Sequence, residues 1–357
     1  MKIMFDRRSR SFLFSIVIAL CCAVGQNSSA QNPANATQKP ELILQNGHSE
    51  RSDGLAFSAD NRYLASASSD STIRIWDAAT GNELRVLKGH PGGASTVVFS
   101  TDGKLLASGG VDGQVKLWEI ASGREVASFS NHKGRINVVA FSPDGKQLAS
   151  GGVDNAIKIW DVAAQRELRT LTGHSGRITA LVFSSNGQIL ASGSADKTIR
   201  LWNPNTGQSS QTLNVQTESV TRLAFHPNSS LLASGSADAK VRMWQLPQGS
   251  SSQISDLKSG GIVALSFNAS GQELLAASSD RTVKRLDSAS GRELQTLSEA
   301  DRLEKYEAAS FSYDGQSVAV CVGTREIEVR RLDTFDNVLK LTSRANSVRA
   351  VAFSNDG

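Results

Sequence analysis

Cysteine and histidine are both scarce in this chain, at three and five of 357 residues. Cys21 and Cys22 lie inside an apolar stretch near the N-terminus, so a chain cut after that stretch keeps only Cys321. No internal disulfide can then form, even in an oxidising compartment, and stability must come from packing. A surplus of charge is lacking as well. The formal net charge is +4, but Lys2, Arg7, Arg8 and Arg10 face only Asp6 in the first thirty residues, and the remainder is close to balance. A nearly neutral body carries no electrostatic footprint for nucleic acid. Also missing are a Gly-Lys-Ser/Thr phosphate loop, a Gly-x-Ser-x-Gly nucleophile elbow and a His-Glu-x-x-His metal helix.

The longest apolar run, Phe12 to Val24, is shorter than the roughly 20 residues that a spanning helix needs. With basic residues before it and Ser28-Ser29-Ala30 after it, the run reads as a secretory signal over 1–30, cleaved before Gln31. Residues 31–40 are polar with two prolines and no periodicity, which predicts a flexible linker. An exported chain, periplasmic or extracellular, with no membrane span after cleavage, is the expectation.

What is present is a repeat. Phenylalanine recurs at Phe57, Phe99, Phe141, Phe183, Phe225, Phe267, Phe311 and Phe353, at spacings of 42 residues with a single 44. A period of this length marks a supersecondary unit that must stack on its neighbours to bury its apolar face. In the fourth unit, Ile178 to Phe183 reads as a strand buried on both faces, and Ser184-Ser185-Asn186-Gly187 as a turn. Ile189 to Gly193 forms the hairpin partner, and Thr198 to Trp202 is a β-branched, alternating third strand. A weaker, more polar fourth strand has its clearest copies at Glu83–Leu87 and Glu167–Leu171. Each unit is therefore expected to be a four-stranded antiparallel sheet.

Gly-His before the first strand, a Ser-Pro-Asp-Gly turn, Ala-Ser-Gly in the second strand and Trp-Asp ending the third resemble the WD40 repeat family. The resemblance covers residues 41–357. It implies an all-β propeller of four-stranded blades, with seven complete units and the start of an eighth. The family often closes its ring with an N-terminal outer strand that completes the last blade, and Glu41 to Gln45 is a candidate for it. Asn337 to Leu341 and Val348 to Ser354 read as further strands, and the sequence stops in a turn at Gly357. A fragment of a longer chain is expected, because a half-finished hairpin would expose an apolar edge.

Four sets of His, Ser, Asp and Trp recur at fixed offsets: His48, Ser66, Asp70, Trp76; His90, Ser108, Asp112, Trp118; His132, Ser150, Asp154, Trp160; and His174, Ser192, Asp196, Trp202. The first three residue types are the ingredients of a hydrolase triad. One copy per blade cannot converge on one substrate, whereas a buried indole N–H, a hydroxyl, an imidazole and a carboxylate can satisfy one another in turn. The family uses such tetrads to hold blades together. With four histidines so placed, only His226 remains, and neither a metal site nor a cofactor is expected. Later units lose the pattern, with Gln216 and Lys258 at the histidine position, so blades six and seven are expected to be softer.

The resemblance also implies a partner-binding face on the loops that precede the first strands. Of the eight positions six residues before the phenylalanines, four are basic, Arg51, Arg135, Arg177 and Lys305, and Val111 and Val153 precede aspartates. Together they suit a protein or peptide carrying acidic and apolar groups. A second basic set, Arg74, Lys116, Lys158, Arg200, Arg242 and Lys284, reads as solvated structural residues whose stems cover apolar surface. The expectation is a monomeric, non-catalytic interaction scaffold. The alternative is the sensory propeller of a larger enzyme, such as a caspase-like peptidase fusion, with its catalytic domain beyond residue 357.

Overall fold

The computed structural model describes residues 50, 52–58, 60, 62–77, 82–214, 217–257, 260–298, 305–311, 316–322, 326–335 and 337–342. His48, Arg51, Gln216, Lys258, the segment 1–49 and the final strand after residue 342 lie outside them. Seven antiparallel four-stranded sheets follow one another along the chain, at 52–88, 94–129, 136–171, 178–213, 220–256, 262–298 and 306–342. Within each, strand order in space equals order in sequence. The first strand of each blade packs on that of the next, from blade 1 through to blade 7.

Asn337–Thr342 is the fourth strand of the seventh sheet, paired with Glu326–Arg331. Asn337 to Leu341, read from the sequence as an outer strand, is one here, with Ile327 opposite Leu341, while the candidate Glu41 to Gln45 lies outside the described residues.

The hairpin turns follow from their side chains. Ser142 donates to Asp144 at 2.6 Å, the Gln147 N–H donates to the Ser142 hydroxyl, and Gly145 takes a φ of 69° that a β-carbon would strain. A second recurrent turn, between second and third strands, places Ser71, Gly113, Asn155, Lys197, Ala239 and Arg281 at φ between 63° and 74°.

Small residues in the second strands let adjacent blades approach. A β-carbon on Gly193 would lie 2.5 Å from the Val220 side chain of the following blade, so an alanine there forces the sheets apart. The faces so joined are largely apolar, and Ile178, Leu190, Val220 and Leu232 are fully buried.

Every first strand also carries a bulge at its second residue. The bulge releases that residue from pairing, and in blades 2 to 5 it aims the side chain at the neighbour. Ser95 thus donates to the Ile136 carbonyl at 2.5 Å, Asn137 to that of Ile178 at 3.0 Å, Thr179 to that of Val220 at 2.6 Å and Thr221 to that of Ile262 at 2.7 Å. Four successive blade junctions share this belt. At the sixth blade the residue is Val263, which has nothing to donate.

Replacing Val263 with threonine is expected to stabilise the protein by about 1 kcal/mol, and Thr179→Val to destabilise it by about as much. Amide exchange should be fastest in blades six and seven. Uniform protection across the blades, or no gain from Val263→Thr, would count against the belt as the source of the difference.

Candidate functional site

Blades 2, 3 and 4 each assemble the tetrad from three loops and strands. The indole N–H of Trp118, Trp160 or Trp202 donates to Ser108, Ser150 or Ser192 at 2.8 Å. Each hydroxyl lies 2.7 to 2.8 Å from Nε2 of His90, His132 or His174. The opposite ring nitrogen, Nδ1, faces Asp112 at 3.2 Å, Asp154 at 2.9 Å and Asp196 at 2.8 Å. The serine receives the indole proton and so donates its own to Nε2, leaving the proton on Nδ1 for the carboxylate. In blade 1 Trp76 donates to Ser66 at 2.9 Å, and Asp70 accepts from the Thr72 N–H; His48 lies outside the described residues. In the fifth blade Trp244 donates to Ser234 at 2.8 Å.

Burial holds all three histidines below their ordinary value of 6.5, although the aspartates pull the other way. Burial alone would raise Asp196, yet hydrogen bonds from Thr198, His174 and the Ser175 N–H outweigh it and hold the carboxyl at about 2. The rings are thus neutral at pH 7, as donation from serine requires. Ser108, Ser150 and Ser192 are 0% exposed, each committed to two partners. No substrate reaches such a hydroxyl without unfolding the blade.

The two later departures have different solutions. In blade six Ala276 and Leu286 occupy the serine and tryptophan places and are fully buried. In blade seven Arg330 stands at the tryptophan position and donates through Nε to buried Glu328 at 2.9 Å, with its guanidinium 5.2 Å from the Phe335 ring. Sequence reasoning did not foresee this ion pair.

On the face that carries the loops into the first strands, the two offset families come together. The Val153 N–H donates to the Arg135 carbonyl at 3.0 Å, Val111 to Gly93 at 2.9 Å and Ala195 to Arg177 at 3.0 Å. Val111 and Val153 are 40% and 44% exposed. Arg177 and Lys305 are exposed and Arg135 is half-buried, while Arg51 lies outside the described residues.

The second basic set differs from the expectation. Lys116, Lys158 and Lys284 do not send their charged heads to water; they are buried and pair with Glu125, Glu167 and Glu293. Arg74 pairs likewise with Glu83. The signal was present, since a glutamate stands nine residues after each of these cations. Among the described residues no cluster of three or more metal-ligating side chains occurs, and no helix is long and apolar enough to cross a membrane.

Stacked four-stranded sheets at a period of 42 residues, glued by buried Trp-Ser-His-Asp chains, define a β-propeller of repeated blades. The family described as WD domain, G-beta repeat matches residues 39–77 and 81–119. The chain carries WD40 repeats and folds as a WD40-type β-propeller. Residues 139–304 are similar to the domain described as IFT122 first beta-propeller. No curated protein matches the chain.

The unfolded chain takes up protons that the buried rings refuse, so stability should fall as pH drops through about 6.5. The Asp196 contribution should follow between 3.8 and about 2. A melting midpoint measured from about pH 7 to about pH 5 should drop less once His90, His132 and His174 are glutamine, the residue that blade five already has at Gln216. An equal drop in both proteins would mean that other groups carry the pH dependence.

Proposed function

We propose that this protein is a non-catalytic scaffold that captures a partner bearing acidic and apolar groups. WD40 propellers serve in general to bind proteins, which the repeat matches support. The observation that carries the finer reading is the backbone clamp from Val153 to Arg135, which sets an exposed aliphatic side chain beside a cation. The same clamp at Ala195 and Arg177 extends the cationic surface to the next blade. Apolar contact supplies burial, and arginine supplies a planar donor for carboxylates. Against catalysis by the tetrads stand their buried, doubly bonded hydroxyls.

Affinity capture with the wild-type protein and with Arg135→Glu/Arg177→Glu, both checked for fold, tests the face. The double variant should lose most of its partner, since like charges across an interface repel. Full retention would dismiss this surface.

We infer further that the protein works outside the cytoplasm. The basic, apolar and small-residue segments over 1–30 support this reading. Intact-mass measurement of protein from the native host should show a chain beginning at Gln31, and a chain retaining Met1 in the soluble cytoplasm would overturn it.

A further inference from the structure

The sister blades show what blade 4 lacks. In blade 3, Lys158 Nζ lies 3.2 Å from Glu167 and donates to the Thr170 hydroxyl at 2.7 Å. Thr170 in turn donates to Glu167, and Asn131 Nδ2 donates to the same carboxylate at 2.7 Å. The corresponding pairs in blades 2 and 6 stand at 2.9 and 2.8 Å. The fold therefore places a carboxylate against the cation of the third strand, at the outer edge of the sheet.

Blade 4 keeps the receiving half of this arrangement. Arg200 stands opposite Thr212, as Lys158 stands opposite Thr170. The carboxylate is gone, with exposed Ser209 in place of Glu167, and Gly173 stands in place of Asn131. A β-carbon on Gly173 would come within 3.0 Å of Arg200 Nη1, so the guanidinium lies against bare backbone there and meets no side-chain acceptor at that position. Arg200 Nε is buried without a hydrogen-bond partner among the described residues, and none of their carboxylates forms an ion pair with the guanidinium. Blade 5 also has a serine here, Ser251, but its Arg242 lies near the Asp238 carboxylate.

A cation partly withdrawn from water with no counter-ion is costly, and the cost is relieved when a carboxylate arrives. The adjoining edge strand, Ser209–Leu213, reads Ser-Ser-Gln-Thr-Leu, without the charges that guard Glu83–Lys88 or Arg166–Leu171. An unguarded edge can accept an extended segment through main-chain hydrogen bonds.

We propose that the outer notch of blade 4, formed by Gly173, Arg200, Ser209 and Thr212, docks an acidic segment of a partner protein. A glutamate or aspartate of that segment takes the place that Glu167 holds in blade 3. Arg200 offers it a planar pair of donors and Thr212 a hydroxyl. Arg200, Ser209 and Thr212 stand on the third and fourth strands of blade 4, whereas Arg135 and Arg177 stand in the loops into first strands, so different variants test the two readings.

The test is a 15N NMR titration of the whole protein with a blocked peptide, acetyl-Ser-Glu-Gln-Glu-Ser-amide, beside its all-glutamine counterpart and inorganic phosphate. The glutamate peptide should shift the Arg200 Nε–H and the Trp202 indole N–H, while the glutamine peptide should leave both in place. Ser209→Glu supplies the carboxylate in cis, and it should weaken peptide binding about tenfold or more while raising the melting midpoint. If Ser209→Glu does not fold, Arg200→Gln replaces it and should abolish the shift at Trp202. Equal response to the glutamine peptide, an equal or stronger response to phosphate, or undiminished binding by the folded variant would each overturn the proposal.

Discussion

A four-stranded blade with apolar side chains on both faces cannot cover either face by itself. Everything else in this chain answers to that constraint. The small residues of the second strands let the neighbour in, the bulge of the first strand sends a donor across, and the tryptophan of the third strand fills the wedge toward the outer edge. Packing supplies most of the favourable free energy, as in any stacked repeat, with nearest neighbours doing nearly all of it. The hydrogen bonds across the junctions decide which interfaces hold more tightly than others.

Polar groups placed inside such an apolar stack must be satisfied in full. The tetrad meets this demand with neutral members in its middle: an indole, a hydroxyl and an imidazole whose burial keeps it uncharged. Charge appears only at its rim, on an aspartate that N–H groups also hold. The seventh blade meets the same demand with ions, Arg330 against Glu328, and the sixth removes it by placing Leu286 where the indole would stand. One site in the repeat thus has three electrostatic solutions.

The period and the tryptophan position were enough to read the blades, because both report burial, which leaves its mark as residue type. The bulged residues were not legible. Ser95, Asn137, Thr179 and Thr221 look like ordinary polar residues near the start of a strand, and their common role appears only when the bulge turns them toward the next blade. The glutamate partners of Lys116 and Lys158 could have been found from their spacing, but spacing alone does not say that the cation is buried. The outer strand at Asn337 to Leu341 was legible, and the short connection after Glu326–Arg331 favours its pairing at that edge.

The turn between second and third strands shows what this repeat copies. Ser71, Gly113, Asn155, Lys197, Ala239 and Arg281 have little in common as side chains, and some are buried while Lys197 is exposed. What they hold in common is a torsion angle that most residues avoid. The unit propagated along the chain is therefore a backbone path, with the side chain at that bend left open to diverge. Six copies of one bend carrying six residue types show that the chain can change what stands at this place, in the interior or at the surface, without redrawing a single strand.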